Sequence, residues 1–529
     1  MTTATLTTTL EIGTEPFTLE QILAVAREHG LVHLTEDASF RARLEAGPAT
    51  VRRLLDRDEI LYGVNTGFGG NVKLIIPDAE LRHHQENLLD VLSCGVGDPL
   101  PAEVVRGAML LRANALARGY SGVRPVVVER LVDLLNHDIT PVVPRYGSVG
   151  ASGDLCPSAY IARALLGKGA VMHRGGRVAA AEALAFEGIE PIRLEPKEGL
   201  ALLNGTTVMT ALAAVVVWDL EYLLRASLAA VALAVEALGS SPDYYHPLVH
   251  MVKHHPGQLR AAEMLNSLLM ESRLAVPLDE IRRHVSEEAA HPAGVVVSKE
   301  AIQSPYSLRC APQGLGPIFE TLEQARLTVE REANSVNDNP LIDPDQDRVF
   351  HTGNFYGGHI ARTMDGLKLD MANLANWTHS LMALLMDERF SCGLPSCLSP
   401  HPGVYQGFKG MQIVHTSLVT ALRQMSAASL IHTLPTEQYN QDIVSLGSNA
   451  ALTALDMVRL LGDAVSITLL SLVQAVNLHG GGALLGAGTA PVYRAVREVS
   501  PFLDADRPLD GDIRRLSEAL AAHQVPVLR

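Results

Sequence analysis

One short run in this sequence has residue types that permit an unusual reaction of the backbone itself. Ala151-Ser152-Gly153 lies within YGSVGASGDLCPSAYIARALL (146–166). If the Gly153 nitrogen attacks the carbonyl carbon of Ala151, a five-membered ring closes, and glycine suits this attack because it has no Cβ to obstruct it. Loss of water from Ser152 then leaves an exocyclic methylene conjugated to the ring. The product is an alkylidene imidazolone, a strong electrophile that no natural side chain provides.

The residues after the tripeptide predict a helix over 157–167, with Asp154 and Ser158 as candidate caps. The N-terminus of such a helix would stabilise negative charge that develops on the ring. Two other interpretations compete. An isolated Ala-Ser-Gly is usually only a tight loop, and a serine hydrolase built on Ser152 would need His and Asp partners that the sequence does not nominate.

Six other blocks spread along the chain accompany this run. They are YGVNTGFG (62–69), KEGLALLNGT (197–206), QSPYSLRCAPQ (303–313), NSVNDNP (334–340), HTGNF (351–355) and EQYNQDIVSLG (437–447). Together with GSVGASGDLCPSA, they resemble the signature of the ammonia-lyases and aminomutases that use 4-methylideneimidazole-5-one. That family includes the histidine, phenylalanine and tyrosine ammonia-lyases. The resemblance implies that this group forms autocatalytically from Ala151-Ser152-Gly153, with no dissociable cofactor and no metal.

The resemblance also implies which side chain acts as the base. Tyr62 matches the residue that removes a proton from the β-carbon of the substrate. An unperturbed phenol titrates near pH ~10. We therefore expect its pKa to be lowered, by helix N-termini that converge on the pocket.

Further roles follow from the same resemblance. Arg309 matches the residue that binds the substrate carboxylate, a task that suits the planar guanidinium fork. Tyr306 is expected near the electrophile, where it could orient the amine or relay protons. Asn204 matches a residue that donates a hydrogen bond to the imidazolone oxygen. The remaining matches are the pocket positions Gln303, Phe355 and Gln441, and Asp154, which is placed to assist ring formation.

Two neighbouring positions bear on the choice of amino acid. Val91-Leu92 form an apolar pair where histidine lyases of the family have Ser-His, tyrosine-selective members His-Leu and phenylalanine-selective members usually Phe-Leu. Gln441 stands where histidine-specific members carry Glu. These residues favour L-phenylalanine and the product trans-cinnamate. Tyr356 has a hydroxyl that could serve a polar substrate, so a tyrosine ammonia-lyase, an aromatic 2,3-aminomutase and a histidine ammonia-lyase remain alternatives.

The composition narrows the class of protein. The 529 residues include 47% hydrophobic and 5% aromatic residues, and the formal net charge is −15. No basic stripe is present, so nucleic acid and anionic membrane surfaces are not expected partners. Five cysteines and the lack of a signal-peptide pattern at the N-terminus favour a reducing, cytoplasmic location. The most apolar stretch, 210–239, contains four charged residues and is predicted to be a buried core helix.

The elements that must position these residues are predicted to be mainly α-helices. Residues 1–16 are expected to be disordered, 17–204 to form a mostly helical N-terminal domain with the base loop and the electrophile, and 205–529 a central multi-helix bundle. An extended piece is expected at 191–197. The helical runs are 101–118, 125–136, 205–238, 312–334, 358–388, 407–431 and 445–478. The resemblance implies a homotetramer whose active sites are shared between subunits, and the apolar helices agree with this.

Other patterns point less clearly to a site. His246, His250 and His254 have the spacing of a metal ladder, but Pro247 and Pro256 argue against one continuous helix. The HGGG run (479–482) lacks the GxSxG elbow of an esterase. A helical scaffold without activity is a third class of interpretation, and the cyclisable tripeptide argues against it.

Overall fold

The chain is mainly α-helical in its computed structural model, which describes residues 9–289 and 294–528. The first helices are α1 (Leu19–Arg27), α2 (Ala38–Leu55), α3 (Leu81–Val91), α4 (Ala102–Ala117), α5 (Pro125–Asn136), α6 (Leu155–Leu165), α7 (Ala180–Phe186), α8 (Glu198–Leu203) and α9 (Thr207–Ala237). They are followed by α10 (Pro247–Met251), α11 (Pro256–Leu269), α12 (Leu278–Glu288), α13 (Tyr306–Arg309), α14 (Ala311–Ala333), α15 (Gly358–Met386), α16 (Lys409–Met425), α17 (Gly447–Leu478), α18 (Thr489–Val499) and α19 (Asp510–Ala521). The predicted fold class is therefore confirmed.

The strands are short, and they pair locally. They are β1 (Thr9–Ile12), β2 (Leu31–Leu34), β3 (Val96–Pro99), β4 (Thr140–Pro141), β5 (Pro144–Tyr146), β6 (Ala170–His173), β7 (Gly176–Ala179), β8 (Leu341–Asp343) and β9 (Arg348–Phe350). β1 pairs with β2 in parallel, whereas β3–β5, β8–β9 and the three-stranded sheet β4–β6–β7 are antiparallel. Apart from β1, which precedes α1, the strands lie in the connections between helices.

One local prediction is wrong. Residues 9–16 are not disordered, because Thr9–Ile12 pairs with Leu31–Leu34 and buries Leu10 and Ile12; residues 1–8 lie outside the described part of the chain. The piece 191–197, expected to be extended, pairs with no strand and ends in a turn at 196–197, and its Ile192 and Leu194 are buried.

The described chain forms two compact units. Of the described residues, the first unit contains 9–216, 325–365 and 428–455, and the second contains 217–289, 294–324, 366–427 and 456–528. This division differs from the predicted boundary at 204/205. The longer, more apolar helical runs that begin there mark the start of α9. A compact unit, in contrast, is defined by segments that pack together from distant parts of the chain.

The first unit is built around α4, which is buried from Val104 to Ala117 and packs against α1 and α5. Local sequence sets the starts of these helices: Thr18 and Gln21 form a capping box on α1, and Pro125 opens α5. The short helix α8 contacts both α3 and α6. As a result, the chain segment after α8 reaches the start of α6.

The second unit contains α10–α13, α16, α18 and α19. α10 ends at Met251 and α11 begins at Pro256, so Pro256 starts a new helix as the sequence predicts. Tyr245 is fully buried, and its hydroxyl donates to the carbonyl oxygen of Leu308 (2.8 Å). This contact fixes the start of the segment that carries Arg309.

Two helices, α9 and α17, are long and apolar enough to cross a membrane by length and composition. In their most apolar stretches 78% and 83% of the residues are buried within the protein. Such burial is typical of core helices in a folded domain, as predicted for 210–239.

Candidate active site

The tripeptide Ala151-Ser152-Gly153 runs beside the chain segment that follows α8. The Gly205 N–H donates to the carbonyl oxygen of Ser152 (3.2 Å), and the Asp154 N–H donates to the carbonyl oxygen of Gly205 (2.7 Å). Gly153 has a φ of +74°, and a Cβ built on it would lie 2.0 Å from the Gly205 carbonyl oxygen. Only glycine can occupy position 153 in this conformation.

The loop before the tripeptide is held by serine hydroxyls. Ser148 Oγ donates to the carbonyl oxygen of Gly153 (3.2 Å) and accepts from the Gly150 N–H (3.1 Å). Ser445 Oγ donates to the carbonyl oxygen of Gly150 (2.8 Å). The backbone on both sides of Ser152 is therefore fixed before any reaction occurs.

Asp154 is completely buried, and its carboxylate does not cap α6. It occupies the position before Leu155 but accepts from the Met209 N–H (2.8 Å) and from the hydroxyls of Ser148 and Ser448. The predicted cap is therefore wrong, because these donors lie across the fold and orient the carboxylate away from its own helix. Ser158 lies inside α6. Burial raises the pKa of Asp154, although its hydrogen bonds lower it.

A cavity of about 500 Å³ opens beside the tripeptide. It is lined by Ile60, Tyr62, Thr66, Val72, Ala151, Ser152, Asn204, Asn339, His351, Thr352, Phe355, Tyr356, Asn440, Gln441, Asp442 and Ile443. Of the predicted site residues, the structure thus brings Tyr62, Asn204, Phe355 and Gln441 to one cavity with Ala151 and Ser152. All of them belong to the first unit.

Tyr62 is half-buried on a loop that is anchored at several points. Its hydroxyl accepts from the Gly69 N–H (2.9 Å), and its own N–H donates to Nε2 of His351 (3.2 Å). Gln85 of α3 donates to the carbonyl oxygen of Gly63 (2.9 Å). These bonds hold the phenol at the cavity wall.

The expected lowering of the Tyr62 pKa is not found. Burial raises the pKa of Tyr62, the Gly69 N–H lowers it, and the nearby Glu437 carboxylate raises it. The phenolate is disfavoured because the ring has left water and only one backbone donor faces its oxygen. A cation that approached the oxygen would act in the opposite direction, because it favours the charged phenolate.

Two amides face the tripeptide. Gln441 Nε2 donates to Ser152 Oγ (3.1 Å) and to Glu437 Oε2 (3.2 Å). Asn204 is buried at the end of α8, and within the described chain its Oδ1 has no hydrogen-bond partner. The Asn204 side chain is thus available to a group in the cavity.

Three residues at this site, His351, Asn339 and Glu437, have no role predicted from the sequence. His351 and Asn339 line the cavity, and Glu437 contacts Gln441 and influences Tyr62. The signal was present, since each lies within one of the quoted blocks, HTGNF, NSVNDNP and EQYNQDIVSLG. Their contacts depend on distant loops, which the sequence alone does not reveal.

Seven predicted residues are not among those that line this cavity: Gly153 and Asp154, which follow Ser152 directly in the chain, and the five residues Val91, Leu92, Gln303, Tyr306 and Arg309. Gln303, Tyr306 and Arg309 belong to the second unit, where Tyr306 is 68% exposed and the Arg309 guanidinium lies over its ring. Val91, at the end of α3, is 70% exposed, and Leu92 is half-buried. In the described part of the cavity lining no arginine or lysine is present to bind a carboxylate.

Comparison with known proteins places these features in context. Residues 17–498 match the family described as aromatic amino acid lyase. The chain is 37% identical to a histidine ammonia-lyase of Geobacillus sp. (strain WCH70), covering 95% of this chain and 94% of the relative. It is 36% identical to a tyrosine 2,3-aminomutase of Myxococcus sp. (strain Mx-B0), covering 94% of each. A solved structure of the phenylalanine aminomutase of Pantoea agglomerans superposes with a TM-score of 0.93 at 33% identity, covering 97% of this chain and 99% of that one.

Proposed function

Because the chain belongs to the aromatic amino acid lyase family, whose members are ammonia-lyases and aminomutases, we propose that it eliminates ammonia from L-phenylalanine to give trans-cinnamate. One observation carries the proposal. The cyclisable tripeptide forms part of the wall of a cavity that Tyr62, Asn204 and Gln441 also line. A base, a polar amide pair and a potential electrophile therefore meet at one place.

We propose that 4-methylideneimidazole-5-one forms from Ala151-Ser152-Gly153. Ring closure joins the Gly153 nitrogen to the Ala151 carbonyl carbon, whose oxygen leaves as water with the two amide hydrogens of Ser152 and Gly153. The Ser152 hydroxyl leaves with its Cα hydrogen as a second water. The fixed backbone fits this reaction, since Gly153 has no room for a Cβ and Ser152 faces the cavity. When present, the group supplies an electrophile that turns the substrate amine into a good leaving group.

The chain's own residues account for the other requirements. Tyr62, held by Gly69 and His351, removes the β-proton of the substrate. The Gly205 N–H donates to the carbonyl oxygen of Ser152 and, with the Asn204 amide, stabilises negative charge there. Asp154 assists ring formation through its bonds to the serine hydroxyls around the tripeptide.

Phenylalanine is proposed on the character of the cavity wall. Ile60, Val72 and Phe355 offer apolar surface to a ring, and Gln441 carries no charge to pair with an imidazole. A buried polar group without a partner costs about 1–3 kcal/mol. Tyr356 also lines the cavity, and its hydroxyl favours tyrosine as the second candidate substrate.

The substrate proposal is tested by incubating the purified enzyme with L-phenylalanine, L-tyrosine and L-histidine in parallel. We expect the highest kcat/KM with L-phenylalanine, measured as cinnamate absorbance. Faster formation of urocanate from L-histidine would refute the assignment. Chromatography of the same mixtures for β-amino acids separates a lyase from an aminomutase, since the latter returns ammonia to the β-carbon.

We further propose that the active enzyme is a homotetramer in which Gln303, Tyr306 and Arg309 complete a cavity of a neighbouring subunit. The substrate carboxylate needs a cation, and the described lining of the cavity provides none. Arg309 is half-exposed, and within the described chain its guanidinium donates only from Nε, to the carbonyl oxygen of Ser304 (3.0 Å), so its terminal nitrogens can bind a carboxylate.

Subunit complementation tests this sharing of residues. Tyr62→Phe and Arg309→Gln proteins are each expected to be nearly inactive. After they are unfolded and refolded together, some cavities will contain an intact Tyr62 and an intact Arg309 from different chains, so activity should return. Refolding each variant alone is the control. Mixed tetramers without regained activity, or a monomer by light scattering with full activity, would contradict a shared site.

A further inference from the structure

A buried cation lies directly behind the segment that contacts the tripeptide. Arg112 of α4 is 2% exposed, and its guanidinium donates from Nη1 to the carbonyl oxygens of Asn204 (2.8 Å) and Ala201 (3.3 Å). Nη2 donates to Oγ1 of Thr207 (3.3 Å). The guanidinium thus bonds to three positions along the end of α8 and the start of α9.

The bond to Asn204 has a particular consequence for the tripeptide. The Asn204 carbonyl and the Gly205 N–H belong to the same peptide group, and that N–H donates to the carbonyl oxygen of Ser152 (3.2 Å). A continuous chain of hydrogen bonds therefore runs from the Arg112 guanidinium through one peptide group to Ser152. In such chains each bond polarises the next, and a cation at the start strengthens the final donor.

The peptide group has no freedom to move away from this arrangement. A Cβ on Gly205, whose φ is +137°, would lie 2.7 Å from Arg112 Nη2 and 2.2 Å from Oδ1 of Asn337. The Asp154 N–H also bonds to the Gly205 carbonyl oxygen (2.7 Å). The distance from the guanidinium to Ser152 is consequently fixed by backbone on both sides.

The charge of Arg112 persists at neutral pH. Burial lowers the pKa of Arg112 to about 10, while the carboxylates of Asp338 and Asp154 raise it. Asp338 is already paired with Lys197 (2.6 Å), and Asp154 is bonded to Met209 and two serines. Within the described chain the Arg112 guanidinium donates to the carbonyl oxygens of Ala201 and Asn204 and to Thr207, and it forms no direct ion pair with either carboxylate.

We propose that Arg112 is a positioning residue for catalysis, an inference that rests on the proposed function. Arg112 polarises the 204–205 peptide group and so strengthens the hydrogen bond from the Gly205 N–H to the Ser152 carbonyl oxygen. That oxygen is where negative charge collects when electrons enter the cyclised tripeptide. Arg112 is not among the residues that line the cavity, so it is not placed to contact a substrate there. Its effect should consequently appear in kcat and in the electronic state of the ring, with KM unchanged.

Arg112→Lys is the decisive variant, and Arg106→Lys is its matched control. Arg106 is equally buried on the same helix, but its guanidinium bonds to the carbonyl oxygens of Val25 and Leu135 and to Asp138, away from the 204–205 peptide. We expect Arg112→Lys to lower kcat about tenfold, less than the roughly hundredfold loss on removing an oxyanion-hole donor. Its KM should stay unchanged, and the ultraviolet band of the imidazolone should move to shorter wavelength. Arg106→Lys should change neither.

Equal kcat and equal bands in the two variants would overturn the role of Arg112, whereas an inactive wild-type enzyme without the cyclised mass would instead refute the proposed function. If Arg112→Lys does not fold, Thr207→Val provides a second test, since it removes one acceptor and leaves the guanidinium in place. A smaller loss of kcat with the same direction of band shift supports the proposal. A folded Thr207→Val enzyme with unaltered kcat and band contradicts it.

Discussion

Replacing Ser152 with alanine is expected to lower kcat for ammonia release by on the order of a thousandfold or more, as the removal of an essential catalytic group does. Alanine lacks the hydroxyl that must leave to create the exocyclic double bond, so the variant can bind substrate but has no electrophile. The measurement is kcat from cinnamate absorbance, combined with the ultraviolet spectrum, in which the imidazolone band should be missing.

Ser158→Ala is the control for this variant. Ser158 lies in α6, is buried, and within the described chain its hydroxyl has no hydrogen-bond partner. Its replacement should leave both kcat and the absorption band as in the wild type. A Ser152→Ala protein that retains turnover would indicate that another group, and another reaction, accounts for the activity.

Tyr62→Phe is expected to lower kcat by about 100- to 10,000-fold, the contribution typical of a positioned general acid or base. The phenylalanine ring fills the same space, so the bond from the Tyr62 N–H to His351 can persist while the basic oxygen is lost. Tyr120→Phe is a suitable control, since Tyr120 lies outside the cavity lining and stacks against Arg43. Comparable loss in both variants would exclude a specific role for Tyr62.

The pH dependence of kcat/KM provides a second test of Tyr62 as the base. Tyr62 acts when deprotonated, and its pKa is raised by burial and by Glu437, so kcat/KM should increase with pH on the alkaline side of neutrality. Glu437→Gln removes a negative charge that disfavours the phenolate. The pKa of Tyr62 then falls, and the rising limb should move to lower pH. A limb that does not move, or moves to higher pH, would show that another group titrates.

The positions of the helices could be predicted from the sequence because the spacing of apolar residues indicates which helix faces are buried. α9, predicted over 205–238, spans Thr207–Ala237, and α5 was predicted with its observed bounds. β1 (TLEI) was not predicted because the Thr-rich sequence that precedes it suggested disorder, and because its stability comes from pairing with Leu31–Leu34. A strand that depends on a distant partner leaves little trace in its own residues.

Only part of the cavity lining could be predicted from the sequence, and the electrostatics of the cavity could be predicted less well. Tyr62, Asn204, Phe355 and Gln441 line one cavity with Ala151 and Ser152, whereas Gln303, Tyr306 and Arg309 do not line it. The contacts of Asp154 with Met209 and Ser448, and the direction of the Tyr62 pKa, depend on which distant groups approach each atom. Such approaches follow from tertiary packing, so motif residues alone could not supply them.

The most direct test is the mass of the peptide that contains residues 151–153, released by proteolysis from the active enzyme and identified by tandem mass spectrometry. Cyclisation with both dehydrations predicts a peptide lighter than its sequence by two water molecules, with the loss confined to Ala151-Ser152-Gly153. In the Ser152→Ala protein the double loss should be absent. An active wild-type enzyme whose peptide has the full mass of an unmodified Ser152 would contradict the proposed chemistry.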